Sequence, residues 1–137
     1  MQLTLYMTST LNGYIATEND DTPWSTAVWK SYYTIAKKFN AIILGRRTYE
    51  MMKEVNELEK MGNPFTIVVS TTKSPLHSNV IFVMSPKEAV KVIKEKNITN
   101  ALIGGGGKLN ASFMKQNLID KLGFVEKFER NIAKHRL

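Results

Sequence analysis

Short apolar runs along the chain predict its strands. Leu3, Leu5 and Met7 alternate with more polar neighbours, and a period of two is typical of a β-strand. A turn signal follows at Asn12-Gly13. Two later runs, 41–44 and 65–70, are apolar or β-branched at consecutive positions, which is typical of inner strands covered on both faces. The runs at 80–83 and 101–103 predict further strands.

Between these runs the apolar spacing lengthens to three or four residues, which predicts helices. The predicted helices, with their inward-facing side chains, are 24–39 with Val28, Tyr32, Ile35 and Phe39; 48–58 with Met51, Val55 and Leu58; one from Ser85 with Ala89, Val90 and Ile93; and a last one with Leu109, Phe113, Met114 and Leu118. Thr48 is expected to cap the second helix. Ser85-Pro86-Lys87-Glu88 has the cap serine, first-turn proline and third-position glutamate of a helix start.

Strands and helices therefore alternate along most of the chain. Such alternation predicts an α/β fold with a mostly parallel central sheet and helices on both faces. No internal repeat or linker divides the sequence.

Composition narrows the class of protein. The chain has 137 residues and is 43% hydrophobic, which suits one folded core. It has no cysteine, so a disulfide framework and a thiolate zinc site are excluded, and its two histidines favour no metal site. No signal peptide is visible, and no apolar run approaches the ~20 residues that span a bilayer. We therefore expect a cytoplasmic protein without a membrane partner.

The formal net charge of +7 attracts phosphate groups from a nucleotide cofactor, a metabolite or nucleic acid. The lysines are scattered rather than clustered. A scattered basic surface is more typical of a protein that it keeps soluble than of one that binds nucleic acid.

The first candidate site follows the strand at 41–44. Glycine at Gly45 permits close approach of a ligand, Arg46 and Arg47 can bind a phosphate, and Thr48 can donate a hydrogen bond. Free N–H groups at a helix start also attract anions. The alternative is a loop with two exposed arginines and a capping threonine.

The second candidate site is the glycine run Gly104, Gly105, Gly106 and Gly107, after the strand at 101–103. Close passage of a pyrophosphate would use these glycines, whereas the alternative is a flexible turn. Leu102 and Leu109 exclude a P-loop, and Leu109 also excludes the dinucleotide motif G-x-G-x-x-G.

A third candidate is the polar segment Ser70-Thr71-Thr72-Lys73, directly after the strand at 65–70. Its hydroxyl groups and lysine could hold the 2′-phosphate of NADPH. The alternative is an ordinary polar turn before Pro75.

These blocks together resemble a known family. Thr10 to Ala16, Trp24-Ser25, Ala41 to Glu50 and Ile103 to Gly106 are similar to the reductase domain of bacterial riboflavin biosynthesis and its dihydrofolate-reductase relatives. The resemblance covers about residues 1–122.

The resemblance implies an NADPH-dependent reductase that transfers hydride to a C=N bond of a pterin-like or ribosylaminopyrimidine substrate. It places Gly45 to Thr48 and Ser70-Thr71 at the adenosine-side phosphates, Gly104 to Gly107 at the pyrophosphate and Ala16 at the nicotinamide. It places Asn12, Trp24 and Ser25 on the substrate side. A small-molecule substrate and a homodimer follow from the same resemblance.

The sequence departs from the family pattern at two places. Asn12 replaces the usual aspartate, and Thr26, Ala27 and Val28 stand where many relatives carry a carboxylate, so no catalytic acid is assigned.

The other departure is the C-terminus. Phe124, Phe128 and Ile132 are four residues apart, which predicts an amphipathic helix in place of closing strands. We expect residues 1–122 to form the NADPH-binding domain and 123–137 a divergent basic tail, with the edge of the sheet exposed.

Three functions follow from these observations: a reductase, a truncated relative that binds a nucleotide without turnover, and a basic nucleic-acid binder. The first two require the segments at Gly45 and Gly104 to converge on one dinucleotide. That requirement fails if Arg46 or Thr48 lies far from Gly105.

Overall fold

The computed structural model describes residues 1–10, 14–16, 26–72, 79–127 and 135–136. Its strands are β1 Gln2–Thr10, β2 Tyr14–Ala16, β3 Ala41–Gly45, β4 Phe65–Val69, β5 Val80–Val83, β6 Asn100–Ile103, β7 Lys121–Lys127 and β8 His135–Arg136. Its helices are α1 Thr26–Ala36, α2 Arg46–Glu54, α3 Glu57–Lys60, α4 Pro86–Glu95 and α5 Gly107–Lys115.

Six of the strands form one sheet in the order β5-β4-β3-β6-β1-β7. Every neighbouring pair in this sheet is parallel. The predicted mostly parallel sheet is confirmed, and the runs at 41–44 and 65–70 are inner strands as expected. The run at 101–103 is an inner strand as well, and the run at 80–83 is an edge strand.

Helices cover both faces of the sheet, as predicted. On one face, Ile43 and Ile103 pack in a core cluster with Phe113 of α5 and Ile93 of α4. On the other face, side chains of α1 and α2 pack against the alternate residues of the same strands. That second cluster includes Tyr32, Tyr49, Met52, Ile42, Leu44 and Leu102.

The chain leaves β3 and β6 on opposite faces of the sheet. From β3 it continues into α2, which packs beside Leu44, and then to β4. From β6 it continues into α5, which packs beside Ile43, and then to β7. Neighbouring strands whose connections diverge in this way create a crevice at their carboxyl ends, where α/β folds bind ligands.

The predicted buried stripe of the second helix is wrong at Met51 and Val55, whereas Leu58 is partly buried against the core. Tyr49 and Met52 are buried, whereas Met51 is 40% and Val55 is 54% exposed. The helix begins at Arg46 with Gly45 as its N-cap, so Thr48 lies inside the first turn and is not the cap. Packing against the sheet fixes the helix rotation, and the apolar spacing alone does not.

The predicted C-terminal helix is also wrong for the described residues. Lys121–Lys127 is a strand that pairs with β1 from Thr4↔Lys121 to Thr10↔Lys127, and His135–Arg136 pairs with β2. A four-residue spacing also satisfies a period of two, so Phe124 fits a strand equally well. β7 crosses the boundary predicted at 122/123 and covers the side of β1 that was expected to be an open edge; residues 128–134 lie outside the description.

Local hydrogen bonds fix the start of one helix and the start of one strand. Ser85 caps α4 by accepting a hydrogen bond from Glu88 N at 3.2 Å, which confirms the predicted helix start. Asp120 ties the start of β7 to β1, because Leu3 N donates to its carboxylate at 2.8 Å and its own N–H donates to Leu3 O at 2.8 Å.

A carboxyl group is partly buried beneath α1. Glu57 of α3 lies near the Tyr33 hydroxyl, and the Tyr33 ring stacks on Trp29. Burial raises the pKa of Glu57 above its ordinary value of 4.5, although Lys60 and the Tyr33 hydroxyl act in the opposite direction. The charged form of Glu57 is therefore less stable in the folded chain than in the unfolded chain.

We predict that Glu57→Gln raises the melting temperature near pH 7. Between the pKa of Glu57 in the unfolded chain and its raised pKa in the folded chain, the unfolded state loses the proton while the folded state keeps it. The wild type therefore loses stability as the pH rises through this window. Thermal unfolding from pH 3 to pH 8 should show a gain in melting temperature above this window and none below it, where Glu57 is protonated in both states. The gain should be only a few degrees, because partial exposure screens the charge.

Glu59→Gln on the same helix is the control, because the Glu59 side chain is exposed. An equal gain in both variants, or a gain that persists at pH 3, would contradict burial as the cause.

Candidate functional site

Main-chain hydrogen bonds join the two predicted phosphate-binding segments. Gly45 N donates to Gly105 O at 2.8 Å, and Gly104 N donates to Ile43 O at 2.8 Å. These bonds continue the β3–β6 pairing past the end of β6, so the glycine run is fixed against the start of α2. The two segments therefore meet at one place, as required, whereas their binding of a single dinucleotide stays a prediction.

Two helix N-termini open at this junction. Gly45 is the N-cap of α2 and Gly106 is the N-cap of α5, and neither N-terminus has a side-chain cap within the described chain. Neither first turn contains an acidic residue, whereas α4 has both the Ser85 cap and Glu88. Uncapped first turns present N–H groups and a partial positive charge, and together they favour an anion.

Thr48 and Gly106 bring the two first turns into contact. A Cβ atom added at Gly106 would lie 3.3 Å from Thr48 Oγ1. The Thr48 side chain is half-buried, so its hydroxyl lies at the junction and not in open solvent. A side chain larger than hydrogen at position 106 would displace this hydroxyl.

Glycine is required at some positions of the junction and not at others, for different physical reasons. A Cβ at Gly104 would lie 2.7 Å from Leu44 Cδ2 and 2.9 Å from Ile42 Cδ1, so close packing requires glycine there. Gly105 has a φ of 108°, a conformation that side chains disfavour. A Cβ at Gly45 would meet only ordinary contacts, at 3.7 Å from Gly105 O and Gly106 N, so protein packing alone does not require this glycine.

The two arginines are exposed at the start of α2. Arg46 Nε lies 3.4 Å from Glu50 Oε1, one turn along the helix. Arg47 also has an interaction partner. Both side chains begin beside Gly45, but within the described chain Arg46 contacts the helix and not the glycine run.

Ser70 and Thr71 follow β4, whose Val69 pairs with Gly45. The Ser70 hydroxyl donates to Thr72 O at 2.9 Å and accepts from Thr72 N at 3.0 Å, which is the geometry of a local polar turn. Thr71 is exposed. The segment therefore lies at the same end of the sheet as Gly45, while its role toward a 2′-phosphate stays a prediction.

The predicted substrate side is only partly described. Asn12, Trp24 and Ser25 lie outside the described residues. The backbone of Ala16 ends β2, where it is opposite His135 of β8. Within the described ranges, no group of three His, Asp or Glu side chains is arranged to hold a metal, and no helix there has the length and apolar character to cross a membrane.

Asn110 is a residue of the site region that the sequence analysis missed. It lies in α5 one turn after Gly106, is 0% exposed, and neither of its amide atoms has a hydrogen-bond partner in the described chain. Unpaired buried amides are rare because each costs about 1–3 kcal/mol. The available signal was an asparagine between Leu109 and Phe113, on the inner side of the predicted helix.

Comparisons with known proteins agree with this architecture. The model of the RibD C-terminal domain family matches residues 1–125. A crystal structure of a protein from Shewanella sp. PV-4, named for riboflavin biosynthesis, superposes with a TM-score of 0.72 at 18% identity, over 97% of this chain and 82% of that one. The dihydrofolate-reductase-like α/β fold is thereby confirmed. No curated protein sequence matches the chain.

We predict that alanine is tolerated at position 45 and not at position 104. Gly45→Ala should change the free energy of unfolding by no more than about 1 kcal/mol, the usual effect at an N-cap. Gly104→Ala should cost about 1–3 kcal/mol, because its methyl group would overlap the buried Leu44 and Ile42 side chains. Urea unfolding of the two variants measures the difference, and equal losses would contradict the assigned packing.

Proposed function

Because the chain belongs to the RibD C-terminal domain family, we propose that it is an NADPH-dependent reductase that acts on a C=N bond of a pterin-like or ribosylaminopyrimidine substrate. The observation that carries this proposal is the contact between two uncapped helix N-termini at the β3–β6 crevice. The family is associated with reductase activity in riboflavin biosynthesis, which supports the same class of reaction.

The residues at the junction fit a dinucleotide pyrophosphate. Its negative charge requires donors without competing acids, and the first turns of α2 and α5 offer main-chain N–H groups with no acidic side chain. The Thr48 hydroxyl lies beside Gly106 and can donate a further hydrogen bond. Gly45 leaves room beside Gly106 N that packing does not use, which supports close approach of a phosphate oxygen.

The adenosine side of the cofactor would lie toward β4. Arg46 and Arg47 begin α2, and Ser70 and Thr71 follow the strand that pairs with β3. Two guanidinium groups and exposed hydroxyls suit a 2′-phosphate, and the net charge of +7 favours anion binding generally. These features support NADPH over NADH as the cofactor.

NADPH would supply the hydride, and the protein would position the cofactor against the substrate. The rigid β3–β6 junction would hold the phosphates, and the sheet end near β2 would hold the reactive end of the cofactor against the substrate. Ala16 at the end of β2 is the residue we assign to the nicotinamide, with Asn12, Trp24 and Ser25 toward the substrate.

The proposal is tested by titrating the protein into NADPH while nicotinamide fluorescence is followed. We expect saturable binding, together with NADPH oxidation in the presence of one member of a panel of pterins, dihydrofolate and ribosylaminopyrimidines. Absence of binding would overturn the cofactor assignment. Binding without oxidation across the panel would contradict the reductase and leave a nucleotide-binding protein.

We predict that Thr48→Val weakens NADPH binding by at least about tenfold. The substitution removes one hydrogen bond to a charged group, worth about 1.5–3 kcal/mol, and keeps the shape of the side chain. Thr34→Val is the matched control, because Thr34 is an exposed helical threonine whose hydroxyl bonds Lys30 O at 2.9 Å. Equal affinities of the two variants would contradict a Thr48–phosphate contact.

A further inference from the structure

The ion pair between Arg46 and Glu50 lies next to the proposed phosphate site. Arg46 is the first residue of α2, and Glu50 is the first acidic residue along that helix. The contact joins Arg46 Nε to Glu50 Oε1 at 3.4 Å, with the two side chains 46% and 55% exposed. The guanidinium is therefore held along the helix by an internal carboxylate.

Arg46 can readily exchange Glu50 for an anion that binds it more strongly. At 3.4 Å and half exposed, it is a weak i,i+4 contact, which changes an equilibrium by a factor of about two. A phosphate dianion carries more charge and matches the planar fork of an arginine with two parallel hydrogen bonds. Arg46 would therefore leave Glu50 for a phosphate bound at the helix start.

Glu50 also acts on a bound phosphate through its charge. It lies one turn from the N-terminus of α2, within the range over which charges interact at physiological salt, about 8 Å. Its carboxylate lowers the positive potential that the first turn and the two arginines create. Both effects act in the same direction, against anion binding.

We propose that Glu50 competes with a cofactor phosphate for Arg46 and thereby limits the affinity of the chain for its cofactor. This inference rests on the proposed function, because it takes the anion to be a phosphate of the dinucleotide. Glu50 is a regulating residue of the site that does not itself contact the cofactor. Neutralising it strengthens cofactor binding.

A second ion pair in the chain provides a matched control. Lys91 and Glu95 form an exposed i,i+4 pair on α4, with Lys91 Nζ 3.9 Å from Glu95 Oε1. Glu95→Gln removes the same charge from a helix surface elsewhere. It corrects for the change in net charge of the whole protein.

The test compares the dissociation constants of NADPH and NADH for the wild type, Glu50→Gln, Glu95→Gln, Arg46→Met and the double variant Arg46→Met/Glu50→Gln. We expect Glu50→Gln to bind NADPH about two- to fivefold more tightly than Glu95→Gln at low salt, with the difference shrinking as salt is added. The gain should be lost largely when Arg46 is already methionine.

The two dinucleotides identify the phosphate. A gain confined to NADPH assigns Arg46 to the 2′-phosphate, and an equal gain for NADH assigns it to the pyrophosphate; both support the competition. Unchanged or weaker binding in Glu50→Gln overturns it, as does a gain that is undiminished when Arg46 is methionine. If the wild type binds neither dinucleotide, the proposed function fails first and the competition fails with it.

Discussion

Two main-chain hydrogen bonds between β3 and the glycine run hold the site together. Gly45 N to Gly105 O and Gly104 N to Ile43 O connect the two central strands beyond the last residue of β6. Because α2 and α5 begin directly after this point, the bonds also fix where both helices start. Close packing of Gly104 on Leu44 and Ile42 then leaves the junction little freedom to open.

The sheet was predictable because its inner strands have an unambiguous signal. Ala41 to Leu44 is apolar at consecutive positions, and each of these residues is buried, as expected for a strand covered on two faces. The capping residues of α4 were equally clear, since a serine, a proline and a glutamate at fixed offsets have a local physical cause. Local signals of this kind do not depend on what the rest of the chain does.

The predictions from sequence failed where contacts between distant segments of the chain determine the structure. Met51 and Val55 have helical spacing, but packing against the sheet sets the rotation of α2 and buries Tyr49 and Met52 instead. Lys121–Lys127 becomes a strand because β1 offers it a partner, which no short window of sequence reveals. The glycine run was recognised as a group, but the separate reasons for Gly104 and Gly105 are visible only in three dimensions.

The placement of β1 between β6 and β7 has a consequence for synthesis of the chain. Gln2 pairs with Asn100, and Thr4 pairs with Lys121, so β1 has no partner in the large sheet until β6 and β7 have been made. Until then its apolar Leu3 and Leu5, which are buried in the folded chain, lack the neighbouring strands that cover them. Closing such long loops is slow, and unpaired strands are prone to aggregate, so this topology leaves a strand open to wrong partners for longer than local pairing would.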